Sequence, residues 1–180
     1  MRIIAGRLKS RALMYPKNKE FRPTQDKVKE SLFNIIQDKI EGAIVWDLCC
    51  GTGGLGLEAY SRGAKEVFMV DKKCQTAKKN IQQLKLENES NIHLIQSDLC
   101  RFLKQVTSKP DIIIIDPPWK SLQLYQNALN SIFEFDILKP HTIIICEHHK
   151  KNDEMPWPDK TKIQQYQYGS SVLSIYKNNE

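Results

Sequence analysis

Five short apolar runs recur between residues 44 and 147, and each leads closely into an acidic residue. Amphipathic stretches such as 74–86 and 122–135 separate them, with apolar residues at helical spacing. Strands that alternate with helices predict a doubly wound α/β sheet of buried, parallel strands. The predicted strands are 44–46 before Asp47, 67–70 before Asp71, 92–95 before Asp98, 112–115 before Asp116 and 143–146 before Glu147.

The C-terminal segment follows a different pattern. Residues 162–168, then Gly169, then 172–176 predict an antiparallel hairpin that closes one edge of the sheet. Such a hairpin is typical of methyltransferases that use S-adenosylmethionine, and dinucleotide-binding dehydrogenases lack it. The sequence therefore predicts an α/β, Rossmann-like class I methyltransferase fold, with a mostly parallel sheet formed by residues 42–180. A chain of 180 residues can bury a core of that size as one domain.

Residues 1–41 precede the sheet and carry the excess positive charge. Residues 1–30 contain nine Lys or Arg and three Asp or Glu, a net of +6 that equals the net charge of the whole chain. Segments 3–5 and 12–15 predict a small hairpin, and residues 24–40 predict a helix. A basic extension on a neutral body is typical of proteins that contact nucleic acid. The candidate phosphate contacts are Arg2, Arg7, Lys9, Arg11 and Arg22.

A glycine-rich turn follows the first predicted strand. Gly51, Gly53 and Gly56 match G-x-G-x-x-G, which alone fits either a nicotinamide or an S-adenosylmethionine site. Asp47 favours the second, because a carboxylate four residues before the first glycine would repel a pyrophosphate but attract ammonium and sulfonium groups. We expect the glycines to let the backbone approach the amino-acid part of that cofactor closely.

Two further carboxylates complete the predicted cofactor site. Asp71 lies twenty residues after Gly51, the spacing at which a carboxylate reaches ribose hydroxyls. Asp98 follows the third predicted strand and is expected to reach the adenine amino group. The same side chain can also cap a helix over residues 99–106.

The sequence Asp116-Pro117-Pro118-Trp119 after four isoleucines is the most specific motif. A base amine is a poor nucleophile because its lone pair is delocalised into the ring. The Asp116 carboxylate and the Pro117 carbonyl can accept both amine hydrogens, which directs the lone pair at the methyl group and stabilises developing charge. Prolines have no N–H donor, so the turn presents acceptors. Trp119 offers a face on which an extruded base can stack.

Other chemistries are weaker fits. Cys49 and Cys50 could act as nucleophiles, as in cytosine C5 methylation, but no Pro-Cys follows the fourth strand, so small residues lining the turn are the better interpretation. Glu147-His148-His149 is not expected to bind metal, because adjacent strand residues face opposite sides.

Five cysteines without a C-x-x-C pair predict reduced thiols, and no apolar run is long enough for a membrane span. We expect a cytoplasmic monomer.

The chain resembles the RsmD family, the bacterial 16S ribosomal RNA guanine N2-methyltransferases, over nearly all its length. The matching segments are 2–6, Arg22-Pro23-Thr24, 26–30, 32–34, 57–59, 61–64, Asn80, Tyr168-Gly169 and Ile175-Tyr176. The resemblance implies methyl transfer to guanine N2 in 16S rRNA of an assembling small subunit. It also implies that Thr24 helps to shape the cofactor pocket and that the basic N-terminal segment engages RNA. Asp71 stands where the family commonly has Glu, and Trp119 where it has Tyr or Phe.

Three alternatives stay open on the sequence. An adenine N6-methyltransferase acting on DNA or RNA would use the same Asp-Pro-Pro turn. A non-catalytic RNA-binding assembly factor could retain the fold, although the intact turn and glycines argue against lost chemistry. A nicotinamide oxidoreductase is disfavoured by Asp47.

Overall fold

A seven-stranded sheet forms the centre of the protein. The computed structural model describes residues 1–16, 26–118, 121–152, 155, 157 and 163–178. The strand order is β3-β2-β1-β4-β5-β7-β6; the first five are parallel, whereas β7 runs antiparallel to both β5 and β6. This confirms the predicted fold and its closing hairpin. The strands are β1 (Ile44–Leu48), β2 (Glu66–Asp71), β3 (Ile92–Gln96), β4 (Ile112–Ile115), β5 (Ile143–His149), β6 (Ile163–Tyr168) and β7 (Ser171–Lys177).

Six helices cover the two faces of the sheet. The helices are α1 (Asp26–Ile35), α2 (Gln37–Ile40), α3 (Gly54–Ser61), α4 (Gln75–Gln83), α5 (Leu99–Gln105) and α6 (Leu122–Glu134). Helices α1 to α4 pack on one face together with Ile3 and Leu13, whereas α5 and α6 pack on the other. All four isoleucines of β4 are fully buried, and each contributes about 1.5–3 kcal/mol through burial. No helix in the described ranges is both long and apolar enough to cross a bilayer.

Three predicted elements differ from the structure. Strand β5 does not end at Glu147 but continues to His149, because β7 pairs with it along its whole length. Strand β3 is half-buried rather than buried, since it forms the open edge of the sheet. The single helix predicted over 24–40 is broken at Ile36, whose φ and ψ of −108° and 14° separate α1 from α2.

The N-terminal hairpin is real but displaced from the predicted pairing. Arg2 pairs with Ala12 in one antiparallel bridge, and the Ile3 N–H donates to the Arg11 carbonyl over 3.0 Å. Ile4 and Ala5 were expected to continue the pairing, yet their N–H groups donate to the Glu58 carboxylate on α3 instead. Glu58 therefore ends the hairpin pairing after Ile3.

A buried ion pair holds this N-terminal segment against the helices. Lys29 of α1 lies 3.4 Å from Glu58, and both side chains are at most 1% exposed. Burial lowers the pKa of Lys29, while the Glu58 carboxylate acts in the opposite direction. Gly6 adds a close backbone approach, since a Cβ there would lie 1.9 Å from the Ser61 carbonyl oxygen. Residues 4–8 are thus fixed to α3 by interactions that tolerate little change.

Candidate active site

The predicted carboxylates meet at one edge of the sheet. Parallel strands β1, β2, β3 and β4 end there, and Asp47, Asp71, Asp98 and Asp116 lie at or just beyond those ends. The backbone joins the ends directly: the Ser97 N–H donates to the Asp71 carbonyl over 3.0 Å, and the Asp116 N–H to the Leu48 carbonyl over 3.4 Å. Ligands of open α/β sheets bind at this edge.

The glycine-rich turn is bound tightly to strand β2. The Cys49 and Cys50 N–H groups both donate to the Val70 carbonyl, over 2.8 and 3.0 Å. Gly53 adopts a φ of 75° at the start of α3, a conformation that glycine tolerates best. Gly56 lies against β2, because a Cβ there would meet the Met69 side chain at 2.5 Å. All three glycines of the motif therefore lie in the predicted turn and first helical residues.

Only one of the two carboxylate oxygens of Asp47 accepts a hydrogen bond from the described residues. The side chain is 1% exposed, and Oδ2 accepts the Gly56 N–H over 2.7 Å. Oδ1 is buried without a hydrogen-bond partner among the described residues. Burial raises the pKa of this carboxyl to about 7, and the nearby Asp116 and Asp71 carboxylates add to the rise. A buried acceptor of this kind suits a cationic ligand, so the site fits the ammonium group of S-adenosylmethionine.

Cofactor affinity is expected to depend on pH through Asp47. Below a pH of about 7 the free carboxyl is protonated and neutral, whereas binding of a cation favours the ionised form. Affinity for S-adenosylhomocysteine should therefore fall by up to about tenfold per pH unit between pH 7 and 5.5. Calorimetric titration across that range measures the effect. Asp47→Asn should bind more weakly with a flat pH dependence, and an equally steep dependence in this variant would assign the proton to another group.

Asp71 and Asp98 both use their carboxylates to shape the site. Asp71 accepts the Gly51 N–H over 2.9 Å and the Lys73 N–H over 2.9 Å. Asp98 caps α5 by accepting the Cys100 N–H, and its Oδ2 lies 2.8 Å from the Lys72 ammonium. The hydrogen bond from Lys72 lowers the pKa of Asp98. The carboxylate oxygens of Asp71 and Asp98 keep lone pairs that a ligand could use. The contacts of Asp71 to ribose and of Asp98 to adenine stay predictions.

The Asp-Pro-Pro turn leaves the sheet directly after β4. Asp116 is half-buried, Pro117 buried and Pro118 exposed. The Tyr125 hydroxyl of α6 lies 3.4 Å from the Pro117 carbonyl oxygen and also contacts the Glu147 carbonyl oxygen. A carbonyl oxygen has two lone pairs, so Pro117 can still accept a hydrogen from a ligand. Tyr125 thus holds the turn to strand β5.

The thiols of the turn are poor nucleophiles. Burial raises the pKa of Cys49, and a hydrogen bond with Cys74 together with burial raises that of Cys50. The reactive form of cysteine is the thiolate, so cysteine-based methylation gains no support.

His148 is buried, with its Nε2 2.8 Å from the Ser174 hydroxyl. No group of three metal-ligating side chains lies within the described part of the chain.

The predicted RNA contacts lie on the N-terminal segment, and four of the five are described. Arg2, Arg7, Lys9 and Arg11 are all exposed. Arg2 lies 3.8 Å from Asp26, and the Arg7 guanidinium lies over the Tyr60 ring at 3.8 Å. Three predicted site residues, Arg22, Thr24 and Trp119, lie outside the described residues.

Sequence reasoning missed several residues that organise this edge. Asn80 was predicted only as a match to the family. Its buried side chain accepts the Met14 N–H through Oδ1 and donates through Nδ2 to the carbonyls of Met14 and Thr52, the latter over 2.9 Å. Tyr125 had no local signal beyond its place on an apolar helix face. Glu147 was considered only for metal binding, and Lys72 not at all. The acidic end of the fifth apolar run was the one signal that pointed to Glu147.

Comparisons with known proteins agree with this architecture. The sheet with its antiparallel hairpin is the Rossmann-like fold of the methyltransferases. The solved structure of yhhF from Escherichia coli, provisionally named a methyltransferase, superposes with a TM-score of 0.82 at 27% identity, covering 99% of this chain and 98% of that one. The structure of SMU.776 in complex with S-adenosylhomocysteine shares the fold, with a TM-score of 0.60 at 18% identity. The match covers 82% of this chain and 49% of the SMU.776 chain.

The sequence comparisons define the family. A family described as "Conserved hypothetical protein 95" matches residues 1–177. Ribosomal RNA small subunit methyltransferase D of Haemophilus influenzae is 34% identical over 183 residues, which cover 99% of this chain and 94% of that protein. The chain belongs to this family, the RsmD family.

Proposed function

We propose that the protein transfers a methyl group from S-adenosylmethionine to the exocyclic N2 amine of a guanine in 16S rRNA. The observation that carries the proposal is one sheet edge holding both a buried acceptor for a cation, Asp47 Oδ1, and the Asp116-Pro117 acceptors for an amine. The name of the Haemophilus influenzae relative supports ribosomal RNA of the small subunit as substrate. The S-adenosylhomocysteine bound to SMU.776 supports the methyl donor.

The residues divide the chemical work between binding and activation. Asp47 binds the ammonium group, and Asp71 and Asp98 orient the ribose and adenine. The cofactor supplies an electrophilic methyl on a sulfonium. Asp116 and Pro117 accept the two amine hydrogens and aim the nitrogen lone pair. Methyl transfer would make the amine cationic, with S-adenosylhomocysteine as the leaving group, and Asp116 or solvent would take one proton from the amine.

The basic N-terminal segment supplies a surface for the RNA backbone. Arg2, Arg7, Lys9 and Arg11 are exposed on a segment that buried contacts hold in place. The Arg7 N–H donates to the Ser61 carbonyl over 2.9 Å at the C-terminal end of α3, whereas Met1 lies against the glycine-rich turn at Thr52 and Gly54. We propose that residues 1–41 act as an RNA-binding extension of the methyltransferase domain at 42–180. We also propose that the protein works as a cytoplasmic monomer on an assembling small subunit.

Mapping of modified nucleosides tests the proposed function. Immature small subunits and, separately, their extracted RNA, both from cells that lack the gene, are incubated with the purified protein and S-adenosylmethionine, and the RNA is then digested and analysed by mass spectrometry. We expect one guanosine to gain a methyl group at N2, with no product when the Asp116→Ala variant is used. N6-methyladenosine as the product would establish the adenine alternative. Wild-type protein that binds the RNA without any methyl transfer would establish the assembly-factor alternative.

A further inference from the structure

Glu147 lies beside the Asp-Pro-Pro turn although the chemistry above does not use it. Ile115 of β4 pairs in register with Cys146 of β5, so Asp116 and Glu147 occupy the next positions on neighbouring strands. Adjacent strands lie about 4.8 Å apart. The Glu147 side chain is only 3% exposed, which is unusual for a glutamate.

The pleat of the sheet places Glu147 on the same face as Asp47. Ile145 and Leu173, the register partner of Glu147, belong to the core on the side of α1 to α4, as does Val45 two residues before Asp47. Side chains alternate along a strand, so both carboxylates face that side. Strands β1, β4 and β5 are neighbours, so three carboxylates end three adjacent strands where the ligands would meet.

Tyr125 fixes the position of Glu147 relative to the catalytic turn. Its single hydroxyl contacts both the Pro117 carbonyl, at 3.4 Å, and the Glu147 carbonyl. Tyr125 is fully buried, so the hydroxyl cannot turn to water. The Pro117 and Glu147 carbonyls therefore lie against the same buried hydroxyl, so the two backbone segments are close neighbours.

Guanine presents a pattern that two adjacent carboxylates match. Its N2 amine and its N1–H are neighbouring donors on the Watson–Crick edge. Adenine has an amine beside N1 as well, but its N1 is an acceptor and would face a carboxylate with repulsion. Enzymes that extrude a base read it through this edge. A single acceptor for the amine cannot distinguish the two bases, whereas a second acceptor at N1 can.

We infer that Glu147 accepts the N1–H of the target guanine and makes the site specific for guanine over adenine. This inference rests on the proposed function. Asp116 and Pro117 serve the reacting amine, and Glu147 reads the neighbouring ring nitrogen. The site then holds the base by its edge, with the amine presented to the methyl group.

The test compares two bases in the same RNA with the full-length protein. One RNA has guanine at the target position and the other has 2-aminopurine, which keeps the 2-amine but has an acceptor at N1. Wild-type kcat/KM should be at least about a hundredfold higher for guanine, since a buried acceptor facing another acceptor is costly. Glu147→Gln can donate its amide N–H to that acceptor, so its preference for guanine should shrink at least about tenfold.

Tyr125→Phe is the matched control for a purely structural effect. It removes the hydroxyl that positions both segments, so kcat/KM should fall for both bases and their ratio should stay as in wild type. A Glu147→Gln variant with wild-type thermal stability and an unchanged ratio would overturn the inference. So would a wild-type enzyme that methylates both bases equally, a result that requires no variant. Absence of any guanine N2 methylation by wild type would instead contradict the proposed function.

Discussion

Replacing Asp116 by Ala is expected to lower turnover at least about a hundredfold, because one preorganised acceptor for the amine hydrogens is lost. Affinity for S-adenosylhomocysteine should change little, since the role of Asp116 is to stabilise charge that develops only during methyl transfer. Single-turnover kinetics on unmethylated RNA, alongside calorimetry with the cofactor product, measure the two effects separately. Loss of Asp116 should also slightly lower the pKa of Asp47, because the carboxylate of Asp116 raises it.

Asp116→Asn provides the control for shape. The amide keeps one oxygen acceptor and nearly the same volume, so its turnover should lie between those of wild type and Asp116→Ala. The turn itself should keep its geometry, since Tyr125 and the Ser121 N–H hold it through the carbonyls of Pro117 and Pro118. Near-normal turnover in Asp116→Ala would remove Asp116 from the proposed chemistry.

Combined replacement of Arg7, Lys9 and Arg11 by Ala should weaken RNA binding about a hundredfold at 0.1 M salt. Each phosphate contact to a single strand contributes roughly 0.7 to the slope of log affinity against log salt, so three contacts contribute roughly 2. Phosphate contacts supply affinity without reading the base. Cofactor binding should stay intact, because the three side chains are exposed and the Arg7 guanidinium lies over Tyr60 near the C-terminal end of α3. Fluorescence titration of RNA at several salt concentrations gives both the affinity and the slope.

The control removes the same charge from other parts of the surface. Lys78, Lys104 and Lys177 are exposed residues of α4, α5 and β7, outside residues 1–41. Their combined replacement by Ala lowers the net charge equally but should leave the salt slope within about 0.5 of wild type. Equal slopes for the two triple variants would show that RNA responds to net charge alone, and the N-terminal segment would lose its assigned role.

Sequence patterns predicted which carboxylates share one edge of the sheet, because each of them follows an apolar run that is local in the sequence. Each apolar run leads closely into an acidic residue, and parallel strands bring such ends to one edge of the sheet. The sequence alone therefore predicted that Asp47, Asp71 and Asp116 lie near one another. The glycine motif likewise depends on short spacing. The turn and the strand ends therefore followed from residues close together in the chain.

Features that depend on distant partners could not be predicted in the same way. Strand β5 extends to His149 because of β7, more than twenty residues further on. The N-terminal pairing stops at Ile3 because Glu58, more than fifty residues away, takes the next two N–H groups. The ion pair between Lys29 and Glu58 does have a signal in the sequence. Lys29 shares the helix face of Leu32, Phe33 and Ile36, and a lysine at an apolar position indicates a buried acceptor elsewhere in the fold.

The attachment of the N-terminal segment also sets an order of events during synthesis. The first fourteen residues leave the ribosome before their binding partners exist, since Glu58, Ser61 and Asn80 are translated later. A basic, unattached segment must therefore wait for at least sixty-six further residues before Met14 can bond to Asn80. Domains fold as their contacts become complete, and contacts between distant residues form slowly. The N-terminal segment therefore stays without these contacts until α3 and α4 have been synthesised.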